Sequence, residues 1–431
     1  MTPETFVAAL DSWRGNGRGR IPSDHRITTA DEARAVCRAL ASGPVYDTPE
    51  AAGSLPLHEL TAFFQTVDSK EAATVLRQEG LPHLRRFLET AVQELLPADP
   101  DDSPAQQRHN THLFVLKILA MYRQPGDGPL LVQAARNPRM AGGYLWSIVF
   151  GIVGDRHPDA AAVCEALGEP PPEGFVGVAY LDFANAMAVG RKIARHPFDS
   201  EAGIARLVGY LEDRNPKNYS YAVSATASIP FLDAAARDTL MTSADQHPDA
   251  LVRLEAAWAL AKTGSEFGRQ RLAQLCLKPR FAARAIEYLE ELGLGAHIPA
   301  KARDPDYQAM AEMCKWLMHP MEFGAAPDEI SQYDTRMLNW PPTNDRRRLW
   351  LFRYRYEPRD GADANEGIGL VGSVTFALFG EATVALSPED VYALHCCWEL
   401  QTNGDPRAPE QRAAAAGRKM LAEANPGFGT A

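Results

Sequence analysis

Residues 248–264 read PDALVRLEAAWALAKTG, and residues 280–293 read RFAARAIEYLEELG. Laid together, Ala256 falls on Ala285, Leu260 on Leu289 and Gly264 on Gly293, each at an offset of 29 residues. Apolar residues in both recur at three- and four-residue steps, the period of a helix with one buried face. The glycine closing each stretch supplies the left-handed turn on which helices commonly stop. A helix ended by glycine, a second helix and a restart make a unit that cannot bury its own apolar face. Several such units must stack, so the pattern predicts a helical repeat array.

Upstream the arrangement recurs in looser form. Residues 111–122 carry Leu113, Val115, Leu116, Ile118, Leu119 and Met121, and a Pro-Gly-Asp-Gly turn at 125–128 precedes a short helix at 129–136. Residues 144–153 are apolar, Gly154-Asp155 reads as a break, and 158–167 as another short helix. The Gly-Asp pairs at 126–127 and 154–155 lie 28 residues apart. Residues 183–194 with 202–211, and 219–229 with 234–241, fit the same template.

Pro248-Asp249, Val252-Arg253, Ala256-Ala257, Leu260-Ala261 and Gly264 together resemble a HEAT repeat. The resemblance implies a mainly α protein, a right-handed armadillo-type α-solenoid over residues 105–300 whose curved surface binds another protein. The segments at 30–40, 57–67, 70–78 and 81–96 predict a helical N-terminal region, 1–104, closed by a Pro/Asp/Ser-rich loop at 97–104. Arg253 is expected to pair with Asp249 or to cap nearby carbonyls. Trp146 and Trp258, inside first helices, are expected to pack in the core or line a groove.

The last third changes character. A helix at 307–318 leads into coil up to 342, then residues 348–356 read RLWLFRYRY. Trp350, Phe352, Tyr354 and Tyr356 share one face of a strand; Leu349, Leu351, Arg353 and Arg355 share the other. A loop at 359–367 and a second strand at 368–379 complete a two-stranded hairpin. Ser387-Pro388-Glu389-Asp390 is a helix start, with serine at the cap and proline in the first turn. The helix continues over 391–400. The expectation is a small α+β domain at 301–405 and a helical tail at 406–431, with a final helix at 409–424.

The 44 basic residues are outnumbered by 55 acidic ones, a net charge of −11, which disfavours nucleic acid as a partner. The 45% hydrophobic and 23% charged composition is that of a folded chain, and disorder along its whole length is excluded. The N-terminal apolar patch at 6–10 has its arginines after it, the reverse of a secretory signal. Apolar runs such as 144–153 are too short to span a membrane. Six cysteines (37, 164, 276, 314, 396, 397) without framework spacing suit free thiols, so the expected location is the cytoplasm.

Phosphate loops, dinucleotide fingerprints, zinc-protease helices and nucleophile elbows do not occur in the sequence, and no catalytic residue or cofactor is expected. His395, Cys396 and Cys397 with Cys314 and His319 carry the ligand types of zinc, yet adjacent cysteines on a helix spread poorly round one ion. Their apolar neighbours argue for core packing instead. His109 and His112, three residues apart, could share a helix face but lack an evident third ligand. Residues 336–360 hold seven arginines against three acids. Arg346, Arg347, Arg348, Arg353 and Arg355 with Tyr354 and Tyr356 form the candidate binding surface. Arginine forks onto carboxylates and aromatics stack, which suits an acidic protein partner as well as phosphate. A half-buried strand with arginines along a protected edge is the competing reading. The expected function is a non-enzymatic protein-binding scaffold; the alternative is a HEAT-type enzyme resembling a DNA glycosylase or a bilin lyase.

Overall fold

Side-chain caps begin several of the helices, and glycine or proline ends some of them. Thr29 opens a helix over Ala30–Ala41 with a reciprocal cap: its Oγ1 accepts from the Glu32 amide and the Glu32 carboxylate accepts from the Thr29 amide. Ser69, Ser200, Asp233, Ser265, Asp304 and Ser387 each cap a later helix by accepting a first-turn amide on the side chain. The computed structural model describes residues 1–16, 21, 24–42, 56–94, 103–141, 143–319, 321–358, 365–374, 376–380 and 384–429. The loop expected at 97–104 lies mostly outside these residues. The described chain divides into two units, Met1–Arg253 and Leu254–Ala431.

The first unit is helical. Before residue 100 the described residues include the α-helices α1 (Pro3–Asn16), α2 (Ala30–Ala41), α3 (Pro56–Ala62), α4 (Lys70–Val75) and α5 (Leu81–Glu94). A longer helix, α6 (Ser103–Tyr122), is followed by α7 (Gly128–Ala135), α8 (Trp146–Arg156), α9 (Ala160–Ala166) and α10 (Gly174–Val189). Next are α11 (Glu201–Glu212), α12 (Tyr219–Ser228), α13 (Ala234–Asp245) and α14 (Ala250–Lys262), the last running across the division between the units. They stack in two layers: α8 packs on α6 and α10, and α10 on α12, while α7 packs on α9 and α11 on α13. Trp146 stacks on Phe150 and Phe150 on Phe183, at centroid distances of 5.2 and 5.3 Å, so one aromatic ladder ties α8 to α10.

Two expectations need correction here. Gly154-Asp155 does not break a helix; α8 runs through it to Arg156. The stop is set by Pro158, which pushes His157 to extended backbone (ψ 134°). Glycine at 154 instead gives room to α10, whose Phe183 ring lies 3.2 Å from where a Cβ would stand. The helix expected at 183–194 begins instead at Gly174 and is over by Gly190.

The second unit contains α15 (Glu266–Leu275), α16 (Pro279–Glu291) and α17 (Pro305–Leu317), then strands and two closing helices. Gly264 and Gly293 have φ of 93° and 70°. In both turns the amide after the glycine bonds back five residues, Ser265 to Leu260 (3.0 Å) and Leu294 to Leu289 (2.7 Å). Lys262 meets Glu291 at 3.2 Å and the Tyr288 hydroxyl donates to Glu255, which tie the two repeat segments side by side.

The two-stranded hairpin is in fact a four-stranded antiparallel sheet, β1 (Glu329–Trp340), β2 (Asp345–Tyr356), β3 (Asn365–Val371) and β4 (Ala377–Phe379), paired in that order. β1 was expected as coil because it is an edge strand with few buried positions, so its sequence, EISQYDTRMLNW, does not alternate cleanly. The segment at 368–379 makes two strands because Gly372 (φ 97°) turns the chain back, pairing Ile368 with Phe379. Helices cover both faces. Leu338, Trp340, Leu349, Leu351, Ile368 and Leu370 pack on α18 (Pro388–Thr402) and α19 (Ala414–Ala424), while Phe352, Tyr354 and Val371 pack on α17. The final helix starts at Ala414 rather than 409.

Candidate functional site

Strand β2 carries all seven residues of the candidate binding surface and divides their roles. Tyr354 is buried against α17, and burial pushes its hydroxyl up to about 12. Tyr356 donates to the Ala325 carbonyl at 2.7 Å and stacks on Phe323. Arg347 forks onto Asp345 (2.8 and 2.6 Å), and that pairing holds the Asp345 carboxyl down at about 2. Arg348 meets Asp306 at 2.8 Å and lies over the Trp350 ring; Arg355 meets Glu357 at 3.3 Å. The neighbouring Arg336 sits between Asp334 and Glu389. Arg353 is exposed, 4.1 Å over the Tyr333 ring, and Arg346 is exposed with no ion pair among the described residues. Arg359 lies outside the described residues. The sheet therefore presents Arg346 and Arg353 to solvent and binds most of the other arginines to local acids.

The metal candidates separate. Cys314 lies in α17, Cys396 and Cys397 in α18, all buried as free thiols, and burial pushes Cys314 and Cys396 up to about 12. His319 is exposed at the end of α17. His395 Nε2 faces both Glu399 Oε1 (3.1 Å) and Ser373 Oγ (3.0 Å). One ring nitrogen meets both partners, so the three do not form a relay, which needs both nitrogens. Glu399 also accepts from Trp340 Nε1 at 2.6 Å and the Val374 amide at 3.0 Å. Among the described residues no group of His, Cys, Asp and Glu is placed to hold a metal ion. His112 is buried beside Phe87, and the side chain of His109 lies outside the described residues.

A further device recurs along the chain, His-Pro at 157–158, 196–197, 247–248 and 319–320. At each, histidine Nδ1 accepts the amide two residues on: Asp159 (3.1 Å), Phe198 (3.3 Å), Asp249 (3.1 Å) and Met321 (3.2 Å). Proline provides no amide of its own, so the ring takes the next one; the first three of these turns lie between helices and the fourth follows α17. After the third turn, Asp249 Oδ1 accepts from the Leu251 and Val252 amides while Arg253 donates to the His247 and Pro248 carbonyls. Arg253 thus serves by capping carbonyls. Trp146 and Trp258 are core residues.

What remains outward on the repeats is clearest on α15. Its inner side is set by Gly268, Leu272 and Cys276, with Gly268 so close to α14 that a Cβ would lie 2.4 Å from the Ala261 amide nitrogen. The opposite side therefore turns to solvent, with Phe267 60% and Leu277 43% exposed and Gln270 and Gln274 between them. Arg271 lies 6.0 Å over the Phe267 ring, and exposed Lys278 and Arg280 follow. No signal in the sequence marked Phe267, because one aromatic on a helix reads equally as core. No helix among the described residues is long and apolar enough to cross a membrane.

Residues 204–292, from within α11 through α16, match the family model of HEAT repeats. They are a HEAT-repeat segment, lying inside the 105–300 expected as the repeat array and taking in both stretches quoted at the outset except Gly293. The chain matches no curated protein and no solved structure.

Proposed function

We propose that the protein is a non-enzymatic cytoplasmic scaffold that holds an acidic segment of another protein, anchored by an apolar side chain, against its HEAT repeats. The observation that carries this reading is the outer side of α15, inside the matched segment, where Phe267 stands exposed with Arg271 over its ring, and exposed Leu277, Lys278 and Arg280 follow in the chain. An exposed aromatic beside a cation suits a partner with a hydrophobic anchor next to carboxylates, since apolar burial supplies affinity and charge supplies register and on-rate. Arg346 and Arg353, exposed on opposite faces of the sheet, are further cations open to a partner, while Arg347, Arg348, Arg355, Tyr354 and Tyr356 are held by ion pairs and packing within the unit.

The test places a photo-crosslinking phenylalanine analogue at position 267 of the full chain in its host cell, with one at exposed Glu71 as control. The segment joined at 267 is identified by mass spectrometry and synthesised as a peptide. The expected result is an acidic peptide whose affinity falls at least tenfold for Phe267→Asp and for carboxylate-to-amide changes in the peptide. Crosslinks equal to the control, or a peptide that binds Phe267→Asp as well as the natural chain, overturn the proposal.

A further inference from the structure

A cavity of about 520 Å³ opens in the first unit between α8 and α10, a size that suits a small organic molecule. Its walls are largely apolar. Phe150 and Phe183, buried and stacked at 5.3 Å, join the two helices at its base, and Gly151 and Ala186 are exposed along its sides. A Cβ at Gly151 would meet nothing within 4 Å, so the space beside α8 is open there. Val189, 43% exposed, lies where α10 stops.

Three charged side chains line this cavity, and two of them are already held by the protein. The Lys192 ammonium donates to the Gly154 and Asp155 carbonyls at 2.5 and 2.9 Å. The Asp155 carboxylate meets Arg123 at 2.8 Å and Arg156 at 3.7 Å. Asp182 differs, for it makes no ion pair among the described residues. The Ser224 hydroxyl of α12 lies beside its carboxylate but also donates to the Ser220 carbonyl at 3.2 Å, and a hydroxyl has one hydrogen to give. Asp182 is exposed, yet the protein around it strips enough water from its carboxyl to hold it above the ordinary carboxylate range. An acid open on one side and desolvated on the others is what a groove produces. Its charge has no cation to meet it, so Asp182 sets the sign of the guest, and a charge-assisted hydrogen bond from an ammonium group supplies the missing partner.

We propose that the cavity between α8 and α10 binds a small organic cation, its ammonium group on Asp182 and its apolar body across Gly151 and Ala186. The site lies outside the matched repeat segment and does not depend on the scaffold reading.

The test uses the full chain carrying ¹³C-labelled alanine methyl groups and three probes that share a phenylethyl body and differ in charge: cationic 2-phenylethylamine, neutral 2-phenylethanol and anionic 3-phenylpropanoate. The Ala186 methyl signal is identified by its loss in Ala186→Ser. The amine is expected to shift that signal saturably and to bind about tenfold more tightly than the other two, the size of one charge-assisted hydrogen bond. Asp182→Asn, a change at an exposed position, is expected to erase the tenfold preference while leaving 2-phenylethanol binding unaltered. Gly151→Leu places a side chain in the open space and is expected to weaken binding of all three probes. An Ala186 signal that no probe moves, or amine binding unchanged in Gly151→Leu, overturns the site. Equal binding of the three probes, tighter binding of the anion, or a preference that survives Asp182→Asn overturns the cationic assignment.

Discussion

A histidine whose Nδ1 accepts a backbone amide can take a proton there only by losing that bond. His157, His196 and His247 are each in this state and each buried, and burial is the first cause that lowers their pKa, to about 4 for His196. His196 is held on its other side by Asn185 Oδ1 at 3.0 Å. In the unfolded chain these rings titrate near 6.5, so the unfolded state binds more protons as pH falls below that value. Their contribution to stability is therefore complete above about pH 6.5 and declines toward the folded value. For His196 alone the loss by pH 5.5 is about 1.4 kcal/mol. Urea unfolding at pH 7.5 and 5.5 is expected to give a smaller pH difference for His196→Gln than for the natural chain, whatever the substitution costs at pH 7.5. An equal pH difference in both would show that this ring does not sense the proton. The repeat His-Pro pairs were legible as letters, but their role was not, because the amide that each ring takes is fixed only by the turn.

Among the helices, glycines of opposite consequence test the account of where each element stops. Gly264 closes α14 in the left-handed region (φ 93°), where a side chain is strained, so Gly264→Ala is expected to destabilise by about 1 kcal/mol. Gly417 of α19 lies so close to α18 that a Cβ would stand 2.1 Å from the Ala393 carbonyl oxygen. Gly417→Ala must separate these helices and is expected to cost about 1–3 kcal/mol. Gly151, exposed inside α8 with open space around it, is the contrast: Gly151→Ala is expected to stabilise by about 0.5–1 kcal/mol. Thermal or denaturant unfolding of the three variants checks the signs; a Gly151→Ala chain less stable than the natural one would contradict the placement of α8. The helix ends at Gly264 and Gly293 were readable because the turn chemistry sits in one residue. The end of α8 was misread because Gly154 resembles a stop while Pro158, four residues later, imposes it. β1 was missed for a different reason, since an edge strand shows its partners in the register and not in its own letters.

At the scale of the chain, a net charge of −11 opposes an island of seven arginines, and the fold decides how the contradiction resolves. The HEAT character of the middle was legible because 29-residue spacing survives in the sequence, whereas the pairing of the arginines is set partly by neighbours on their own strand and partly by acids from distant segments. Asp306 of α17 takes Arg348, Glu389 of α18 takes Arg336, and Asp345 and Glu357 take Arg347 and Arg355. Binding to duplex DNA draws its affinity from cations that release counterions from phosphates, with a slope in salt set by how many phosphates are neutralised. Arginines already held by carboxylates release few, and Arg346 and Arg353 alone are too few against an acidic background. The full chain is therefore expected to leave a short duplex unshifted in a native gel even at low salt. A clear shift that weakens as salt rises, and that Arg346→Glu with Arg353→Glu removes, would place the protein with nucleic-acid-binding enzymes of similar architecture and displace the scaffold reading.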